Sequence, residues 1–345
     1  MLPVISEAEL RKAITPADAV SVVREAFRAD GLGLTTVPAP IGLEIPGTRG
    51  EFHVKTAHVT GMPYIAVKIA SGFYDNPRLG LPTGAGLMAL FDSSTGMPAA
   101  LLLDNGYLTD VRTGAAGAVA AEALARTDLE TVGVIGSGVQ ARQQVWCLRE
   151  VRRFRRVVAW SPDPEGLAAY CREIASTLGI ESVPASTPEA VVAAADIVIT
   201  VTPARAPLVK AEWLRPGQHV TAVGSDGPGK QELDARCLSV ADLVVTDRTS
   251  QCARLGELQH AIAAGLMTVE RVHAQLGEIL AGARKGRSTP EQVTIADLTG
   301  VGFQDTAIAC AAFASVWAHR QGLGPGPWDI RTTDSGTDDF GRNTP

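Results

Sequence analysis

The spacing of apolar residues changes along the chain, and each change predicts a different kind of secondary structure. Ser6 and Glu9 match a helix capping box, and Pro16 opens a second helix whose apolar positions recur at helical spacing until about Gly31. Short β-rich runs broken by Gly and Pro then follow. They cover residues 41–45, 52–59, 64–69, 86–91 and 99–103. These runs predict a curved, mostly antiparallel sheet.

From residue 113 the pattern changes to an alternation of helices and buried strands. Residues 113–124 predict an alanine-rich helix, and residues 306–320 predict a final helix. Strands are predicted at 131–135, 156–160, 197–201, 219–223 and 243–246, with helices at 140–149 and 165–178 between them. Strands that alternate with helices in this way predict a doubly wound parallel sheet. The tail from Gly322 is predicted to be irregular.

Composition places the chain among soluble globular proteins. Of its 345 residues, 46% are hydrophobic and 20% are charged, which suits a sizeable core and excludes a disordered chain. The formal net charge of −6 argues against nucleic acid or an anionic membrane as the main partner, because both attract basic surfaces. No apolar run has the roughly 18 residues of a membrane span, and no secretory signal is visible. Five scattered cysteines without a CxxC pair indicate reduced thiols, so we expect a cytoplasmic protein.

A glycine-rich segment matches a dinucleotide-binding fingerprint. The stretch Gly136-Ser137-Gly138-Val139-Gln140-Ala141 fits GxGxxA at the end of a buried strand and the start of a helix, which is the context the motif requires. The glycines permit a tight turn and close approach to a pyrophosphate, and the helix N-terminus offers free amides. The alternative is a glycine-rich turn that binds no ligand.

The fingerprint predicts NAD or NADP without choosing between them. An acidic residue at the end of the second strand would bind a ribose 2′-hydroxyl, but that position is Trp160 or Ser161, and Asp163 comes late. No arginine lies in that loop to bind a 2′-phosphate, and Arg142 is only a substitute for one. The candidate cofactor-binding residues are Thr113, Gly136, Ser137, Gly138, Val139, Gln140, Trp160, Ser161, Thr202, Val223 and Gly224.

Three charged residues lie beside apolar runs, where core residues would be expected. Lys68 lies within a predicted strand, Arg112 precedes the alanine-rich helix, and Asp226 follows a strand of the parallel sheet. Two cations suit a carboxylate and the acid suits proton handling at a nitrogen, so the three together favour an amino or imino acid. Each has a structural alternative. Lys68 could reach the surface and Asp226 could shape a turn. Arg112 could pair with Asp104 or Asp110.

Motifs of other catalytic classes are missing from the sequence. The six histidines include no HExxH, and His53 and His58 lack partners at metal-ligand spacing, so no metal is expected. Neither a GxSxG nucleophile elbow nor a GxxxxGK[ST] phosphate loop occurs.

Taken together, these motifs resemble the ornithine cyclodeaminase/mu-crystallin family over nearly the full length of the chain. The resembling segments are residues 67–69, 103–106, 111–116, 136–144 and 224–226. Within the family, the chain is most similar to the ectoine-utilisation branch through residues 71–77, 255–266 and 297–305. Iminosuccinate reductases are similar in the last two of these segments.

The resemblance implies a fold and an assembly. It implies an α/β chain in which a Rossmann domain with a doubly wound parallel sheet, residues 126–305, is inserted into an α+β substrate-binding and dimerisation domain. That second domain would comprise residues 1–125 and 306–330, followed by an irregular tail at 331–345. The resemblance also implies a homodimer.

The resemblance further implies roles for the charged residues. Lys68 and Arg112 would bind the substrate carboxylate, Lys68 would also polarise a substituent of the reacting carbon, and Asp226 would act as acid/base near the amino nitrogen. The chain departs from ornithine cyclodeaminases at Ile41–Ile45, which lacks their carboxylate-binding arginine, and at Lys55, which lies where they carry a Glu-x-Met stretch. A lysine there would suit a second carboxylate and repel the ammonium of ornithine.

The leading hypothesis is an NAD(P)-dependent imine reductase or amino acid dehydrogenase. Hydride would move between nicotinamide C4 and the α-carbon of a small imino or amino acid. A more specific form of the hypothesis is an acidic substrate, either one from ectoine degradation or one that resembles iminosuccinate. Lys68 and Asp226 are the candidate catalytic residues, and Lys55, Lys68 and Arg112 the candidate substrate ligands. One alternative is a redox-neutral, NAD-dependent cyclodeaminase that releases ammonia. Another is a mu-crystallin-like protein that binds NADPH or a small ligand.

Overall fold

The computed structural model describes residues 2–321 and confirms the predicted α/β fold. A mostly antiparallel sheet forms first along the chain, a parallel sheet follows, and the last helix returns to the first sheet. The predicted tail at 331–345, and the part of the 306–330 segment beyond residue 321, lie outside the described residues. No helix within 2–321 is both long enough and apolar enough to cross a membrane.

The first sheet contains seven strands. They are β1 (Val4–Ser6), β2 (Thr35–Thr36), β3 (Ile41–Ile45), β4 (Gly50–Val59), β5 (Tyr64–Phe73), β6 (Gly84–Asp92) and β7 (Pro98–Leu103). Their order is β1-β7-β6-β5-β4-β2, with β3 also paired to β4. All neighbours are antiparallel except β1 and β7, which run parallel. The five predicted runs are all strands, whereas β1 and β2 are too short to show a period.

Ten further strands follow. They are β8 (Thr131–Ile135), β9 (Arg156–Trp160), β10 (Glu181–Pro184), β11 (Ile197–Thr200), β12 (Arg205–Val209), β13 (His219–Ala222), β14 (Gln231–Leu233), β15 (Leu243–Thr246), β16 (Ala274–Gln275) and β17 (Thr294–Asp297). Eight of them form a parallel sheet in the order β10-β9-β8-β11-β13-β17-β15-β16, and β12 pairs with β14 outside it. The five strands predicted for this half all belong to the large sheet, which confirms the doubly wound arrangement.

Eleven α-helices lie within residues 2–321. They are α1 (Glu7–Ala13), α2 (Pro16–Gly31), α3 (Tyr107–Leu124), α4 (Val139–Val151), α5 (Pro164–Leu178), α6 (Pro188–Ala194), α7 (Arg236–Val240), α8 (Thr249–Leu255), α9 (Leu258–Ala263), α10 (Leu276–Leu280) and α11 (Gly302–Arg320). The predicted capping box of α1 is present, with Glu9 accepting from the Ser6 backbone N–H at 3.0 Å.

Two helices begin several residues earlier than predicted, and each of these differences places a charged residue inside a helix. Helix α3 begins at Tyr107 rather than 113, where the Asp104 carboxylate accepts a hydrogen bond from the Leu108 amide (2.9 Å) and caps its first turn. Arg112 therefore lies within α3 and not before it. Helix α11 begins at Gly302, whereas the sequence predicted a start at 306. The prediction missed the first turn because that turn carries buried polar residues such as Asp305, which do not match an apolar period.

The two sheets meet through helices that pack on one another. Helix α3 packs against α4 of the parallel sheet and against α2, while α11 packs on β4 and β5. The face of the first sheet that points toward these helices contains one row of directly paired residues, Lys55, Lys68, Met88 and Leu102. All four are buried. Two lysines therefore occupy positions that otherwise belong to the hydrophobic core.

The opposite face of the first sheet is also apolar. Ile41, Val54, Ile69 and Leu87 pair directly across β3, β4, β5 and β6. Ile41 is 67% exposed and Ile69 is 38% exposed. Sheets that are apolar on both faces are typically covered by a layer on each side. We call this row and its apolar neighbours, Leu43 among them, the outer face.

Thr306 joins the start of α11 to the first sheet. Its hydroxyl donates to the Ala57 carbonyl of β4 (2.8 Å) and accepts from the Ala66 amide of β5 (3.2 Å), and the residue has no exposed surface. Ala57 and Ala66 are directly paired in the β4–β5 ladder. This contact fixes the adjacent Asp305 relative to both strands.

Replacing Thr306 by Val should lower the free energy of unfolding by about 1–3 kcal/mol, because the shape is kept while a buried N–H and a buried carbonyl lose their partner. Urea unfolding followed by circular dichroism measures the change. Thr60→Val, at an exposed turn position, is the control and should change stability little. Equal stability of Thr306→Val and the unaltered protein would contradict this role.

Candidate active site

The glycine-rich loop between β8 and α4 has the geometry of a dinucleotide site. Gly136 adopts a φ of +124°, and a Cβ there would lie 3.1 Å from the Val201 carbonyl oxygen. Gly138 is the N-cap residue of α4, so no cap side chain occupies the first amides of the helix. A Cβ at Gly138 would meet nothing within 4 Å. The first backbone N–H groups of α4 therefore adjoin open space in which phosphate oxygens can accept hydrogen bonds. These residues fit the diphosphate of NAD or NADP.

The charged residues near the end of β9 are engaged in local contacts. Asp163 caps α5 by accepting the Gly166 N–H (3.1 Å). The Arg142 guanidinium donates to carbonyls of the glycine-rich loop and pairs with a glutamate of α5 at 2.8 Å. The uncharged Trp160 is the last residue of β9, and Ser161 follows it. Either NAD or NADP is compatible with this arrangement.

A cavity of about 230 Å³ lies at the carboxyl ends of β11, β13 and β17, where parallel sheets bind ligands. Its wall combines predicted cofactor residues with predicted substrate and catalytic residues, namely Thr113, Gln140, Thr202, Val223, Gly224, Arg112 and Asp226. The other predicted cofactor residues, Gly136, Ser137, Gly138, Val139, Trp160 and Ser161, lie outside this wall, in the glycine-rich loop and at the end of β9. The structure thus brings members of both predicted groups to one cavity, whereas Lys55 and Lys68 do not line it.

Two of the predicted cations share a buried carboxylate. The Lys68 ammonium lies 3.0 Å from Oδ2 of Asp305, and Nε of Arg112 lies 2.9 Å from Oδ1. Lys68 is only 2% exposed, so the alternative in which it reaches the surface is wrong. The structural alternative for Arg112 was a pair with Asp104 or Asp110. Arg112 pairs with Asp305 instead.

Burial and like charges perturb this cluster. Burial, together with the nearby Arg112, lowers the pKa of Lys68 to about 7, although Asp305 acts in the opposite direction. Burial acts to raise the pKa of Asp305, but Arg112 and Lys68 outweigh it and hold that pKa below its usual value. Lys68 is therefore the group in the cluster whose charge changes near neutral pH.

The Lys55 ammonium does not reach the cavity wall. Lys55 lies directly opposite Lys68 on the neighbouring strand, and its Nζ donates to the carbonyls of Thr299 (3.0 Å) and Gly300 (2.9 Å). Both of those residues line the cavity, so Lys55 holds the loop after β17 from behind. Burial and the nearby Arg112 lower the pKa of Lys55. Its role as a substrate ligand stays a prediction.

Asp226 reaches the cavity and is held there by Lys230. The Lys230 ammonium donates to Oδ1 of Asp226 (2.7 Å), to Oε1 of Glu51 (2.7 Å) and to the Tyr74 hydroxyl (2.9 Å). Burial acts to raise the pKa of Asp226, but Lys230 and then Lys55 outweigh it and keep this pKa below its usual value. Asp226 is therefore an ionised carboxylate at the cavity wall, and not only a turn residue.

Asp305 and Lys230 hold the predicted charged residues in place, and both received no role from the sequence. Asp305 is the single charged residue between Gly302 and Val316, and a lone acid in an apolar helix is the signal that could have identified it. Lys230 follows Asp226 after a Gly-Pro-Gly turn, which predicts a reversal of the chain but not the direction of the next side chain.

Comparisons with known proteins agree with this geometry. The sequence model of the ornithine cyclodeaminase/mu-crystallin family matches residues 3–318. A putative dehydrogenase of Rhizobium meliloti (strain 1021) is 48% identical over 91% of this chain and 95% of its own length.

Two solved structures share the fold over nearly the whole chain. An archaeal alanine dehydrogenase dimer with bound NAD aligns with a TM-score of 0.85 at 36% identity, covering 94% of this chain and 98% of that one. The Δ1-pyrroline-2-carboxylate reductase of Thermococcus litoralis, in complex with NADH and L-proline, aligns with a TM-score of 0.88 at 31% identity, covering 95% and 100%. The motifs, the fold and these relatives agree, and the chain belongs to the ornithine cyclodeaminase/mu-crystallin family.

Proposed function

We propose that the chain is an NAD(P)-dependent oxidoreductase that moves hydride between nicotinamide C4 and the α-carbon of a small imino or amino acid. The observation that carries this proposal is the cavity in which Arg112 and Asp226 face the cofactor candidates Thr113, Thr202 and Gly224. A substrate placed there meets an anion-binding group, a carboxylate and the nicotinamide together. The two structural relatives are named as an alanine dehydrogenase and a Δ1-pyrroline-2-carboxylate reductase, and both activities belong to this reaction class.

The charge balance of the buried cluster favours a substrate carboxylate. When Lys68 is protonated, Lys68 and Arg112 contribute two positive charges against the one negative charge of Asp305. Excess charge in a buried site is costly unless an anion neutralises it. Arg112 lines the cavity, so its guanidinium contacts the substrate carboxylate directly. Lys68 lies behind the cavity wall and adds its positive charge to the site without touching the substrate.

Asp226 is suited to hold a proton on the substrate nitrogen. Because Lys230 keeps its carboxyl ionised, Asp226 accepts a hydrogen bond from a protonated imine and does not need to donate a proton. The protonated imine is the more electrophilic form, so this contact favours hydride addition at its carbon. In the reverse direction, hydride leaves the neutral amine, and the same carboxylate accepts a hydrogen bond from the protonated imine that forms.

The bound NAD(P) supplies or takes the hydride, and the chain orients it. In this proposal residues 126–305 form the cofactor domain, while residues 1–125 and 306–330 form the substrate-binding and dimerisation domain. An acidic, iminosuccinate-like or ectoine-derived substrate is the finer form of the proposal. Its second carboxylate would need Lys55 to turn away from the carbonyls of Thr299 and Gly300. The five unpaired cysteines support a cytoplasmic location.

A homodimer formed through the outer face is part of the proposal. Ile41, Leu43 and Ile69 are partly or largely exposed there, in a sheet whose other face is already covered by helices. Exposed apolar patches of this kind mark interaction surfaces. A second copy of the same sheet supplies a complementary apolar layer, as in face-to-face sheet packing.

Replacing Asp226 by Asn should lower kcat by at least about 100-fold while NADH affinity stays unchanged, because the neutral amide cannot hold the proton on the substrate nitrogen. The assay follows nicotinamide absorbance and ammonia together, with imino acids, amino acids and oxo acids plus ammonia as substrates. Asp128→Asn, at an exposed position, is the control. Unchanged turnover of Asp226→Asn would contradict its role. Ammonia release without an absorbance change would identify a cyclodeaminase instead.

The affinity for a carboxylate inhibitor should fall as pH rises above about 7, because Lys68 then loses its proton and with it one of the two cations of the site. The measurement is the inhibition constant of a 2-oxo acid at a series of pH values. Lys68→Arg should remove this dependence, since a guanidinium stays charged. Lys210→Arg, at an exposed position, should preserve it. An inhibition constant that does not change with pH in the unaltered enzyme would refute the assignment.

Replacing Ile69 by Glu should convert a dimer into a monomer, because it places a charge at the centre of the outer face. Size-exclusion chromatography with light scattering measures the mass. Leu79→Glu, at an exposed position outside the strands, should leave the dimer intact. A monomeric unaltered protein, or a dimeric Ile69→Glu variant, would contradict this interface.

A further inference from the structure

Three buried carboxylates lie one after another in space beneath the ligand-binding edge of the parallel sheet. The proposed mechanism uses none of them. Glu232, Glu257 and Asp297 have no exposed surface. Within residues 2–321 none of the three forms a salt bridge with lysine or arginine. Buried acids without a cationic partner are rare because their charge is costly to desolvate. Other contacts must compensate for that cost.

Each of these carboxylates accepts two backbone N–H groups. Asp297 accepts from the amides of Glu257 (3.0 Å) and Leu258 (2.9 Å). Glu257 in turn accepts from the amides of Glu232 (2.8 Å) and Leu233 (3.2 Å). The acids thus form a relay in which each side chain fixes the backbone of the next, and the relay ends at Glu232.

Glu232 connects the relay to the cavity. Its Oε1 accepts from the Thr202 amide (2.5 Å) and its Oε2 from the Gly224 amide (2.8 Å). Thr202 follows β11, Gly224 follows β13, and both residues line the cavity. One side chain therefore joins the backbones of the two loops between which the ligand binds.

The two loops approach so closely that only glycine fits at position 224. A Cβ there would lie 2.2 Å from the Thr202 carbonyl oxygen and 2.4 Å from Oε2 of Glu232. Burial raises the pKa of Glu232 to about 7, while the hydrogen bonds from Thr202 and Gly224 act against this rise. In its ionised form, the carboxylate is stabilised by the two amides, and it fixes them in turn.

We propose that Glu232 is a positioning residue for hydride transfer. By fixing the backbones of Thr202 and Gly224, it sets the distance between the nicotinamide and the substrate held by Arg112. Asp226 lies two residues beyond Gly224, so a shift of this loop also moves the carboxylate that faces the substrate nitrogen. The inference rests on the proposed function. Displacements near 1 Å at a reacting centre lower rates by about 100-fold.

The test compares Glu232→Gln with a matched control, Asp196→Asn. Asp196 also accepts two backbone amides, from Glu130 (2.9 Å) and Thr131 (3.0 Å), and pairs with Arg126, but it lies at the opposite, amino edge of the same sheet. A glutamine at position 232 keeps the shape and one acceptor oxygen, while its NH₂ group opposes one of the two amides.

We expect Glu232→Gln to weaken NADH binding severalfold, to lower kcat by about 100-fold and to increase the deuterium isotope effect from 4-deuterated NADH, with the substrate KM unchanged. Asp196→Asn should lower the unfolding temperature but change none of these quantities. NADH affinity is measured by fluorescence transfer from protein to nicotinamide, independently of turnover.

Wild-type NADH affinity and isotope effect in Glu232→Gln would overturn the proposal, as would equal losses in Asp196→Asn. If the glutamine variant does not fold, Glu232→Asp keeps the charge on a shorter side chain and permits the same comparison. A protein that binds NADH but turns over no imino or amino acid would refute the proposed function alone. The NADH affinity of the Glu232 variants would then still decide the positioning role.

Discussion

The shared carboxylate of Asp305 is the contact on which the relation between the two halves of the molecule depends. It joins Lys68 of β5 to Arg112 of α3, and α3 packs on the helix that follows the glycine-rich loop. Buried ion pairs add little net stability, because desolvation offsets their attraction, but losing one partner costs about 3–5 kcal/mol. The cluster therefore selects one arrangement of strand and helices, and that arrangement places Arg112 at the cavity wall with Lys68 behind it.

The two sheets contribute to the site in different ways. The first sheet contributes side chains, since Lys55 and Lys68 replace core residues in one paired row of strands. The parallel sheet contributes mainly backbone at Thr202 and Gly224, together with the ion pair of Asp226 and Lys230 at the cavity wall. The two contributions are coupled, because Lys55 of β4 donates to the carbonyls of Thr299 and Gly300 in the loop after β17, which lines the cavity.

Local patterns predicted the fold well and the site in part. The strand–helix alternation and the glycine fingerprint depend on neighbouring residues, so a single sequence reveals them. Arg112 and Asp305 are 193 residues apart, and no period or motif reports such a contact. Glu232 was missed for a related reason. Its partners are backbone amides, and every residue except proline has one, so the sequence does not indicate which amides a distant side chain will bind. The start of α11 was misplaced since Asp305 interrupts the apolar pattern that marks a buried helix.

The position of α11 at the end of the described chain determines the order in which the site can be completed during synthesis. Lys68 and Arg112 leave the ribosome in the first third of the chain, and the whole parallel sheet follows before Asp305 appears. The parallel sheet is built from contacts within its own segment, so it can fold while the first sheet still lacks its covering helix. A nascent chain thus acquires its nucleotide loop first and the counter-ion of its two cations last. A chain arrested before α11 would carry the dinucleotide loop but leave these cations unpaired.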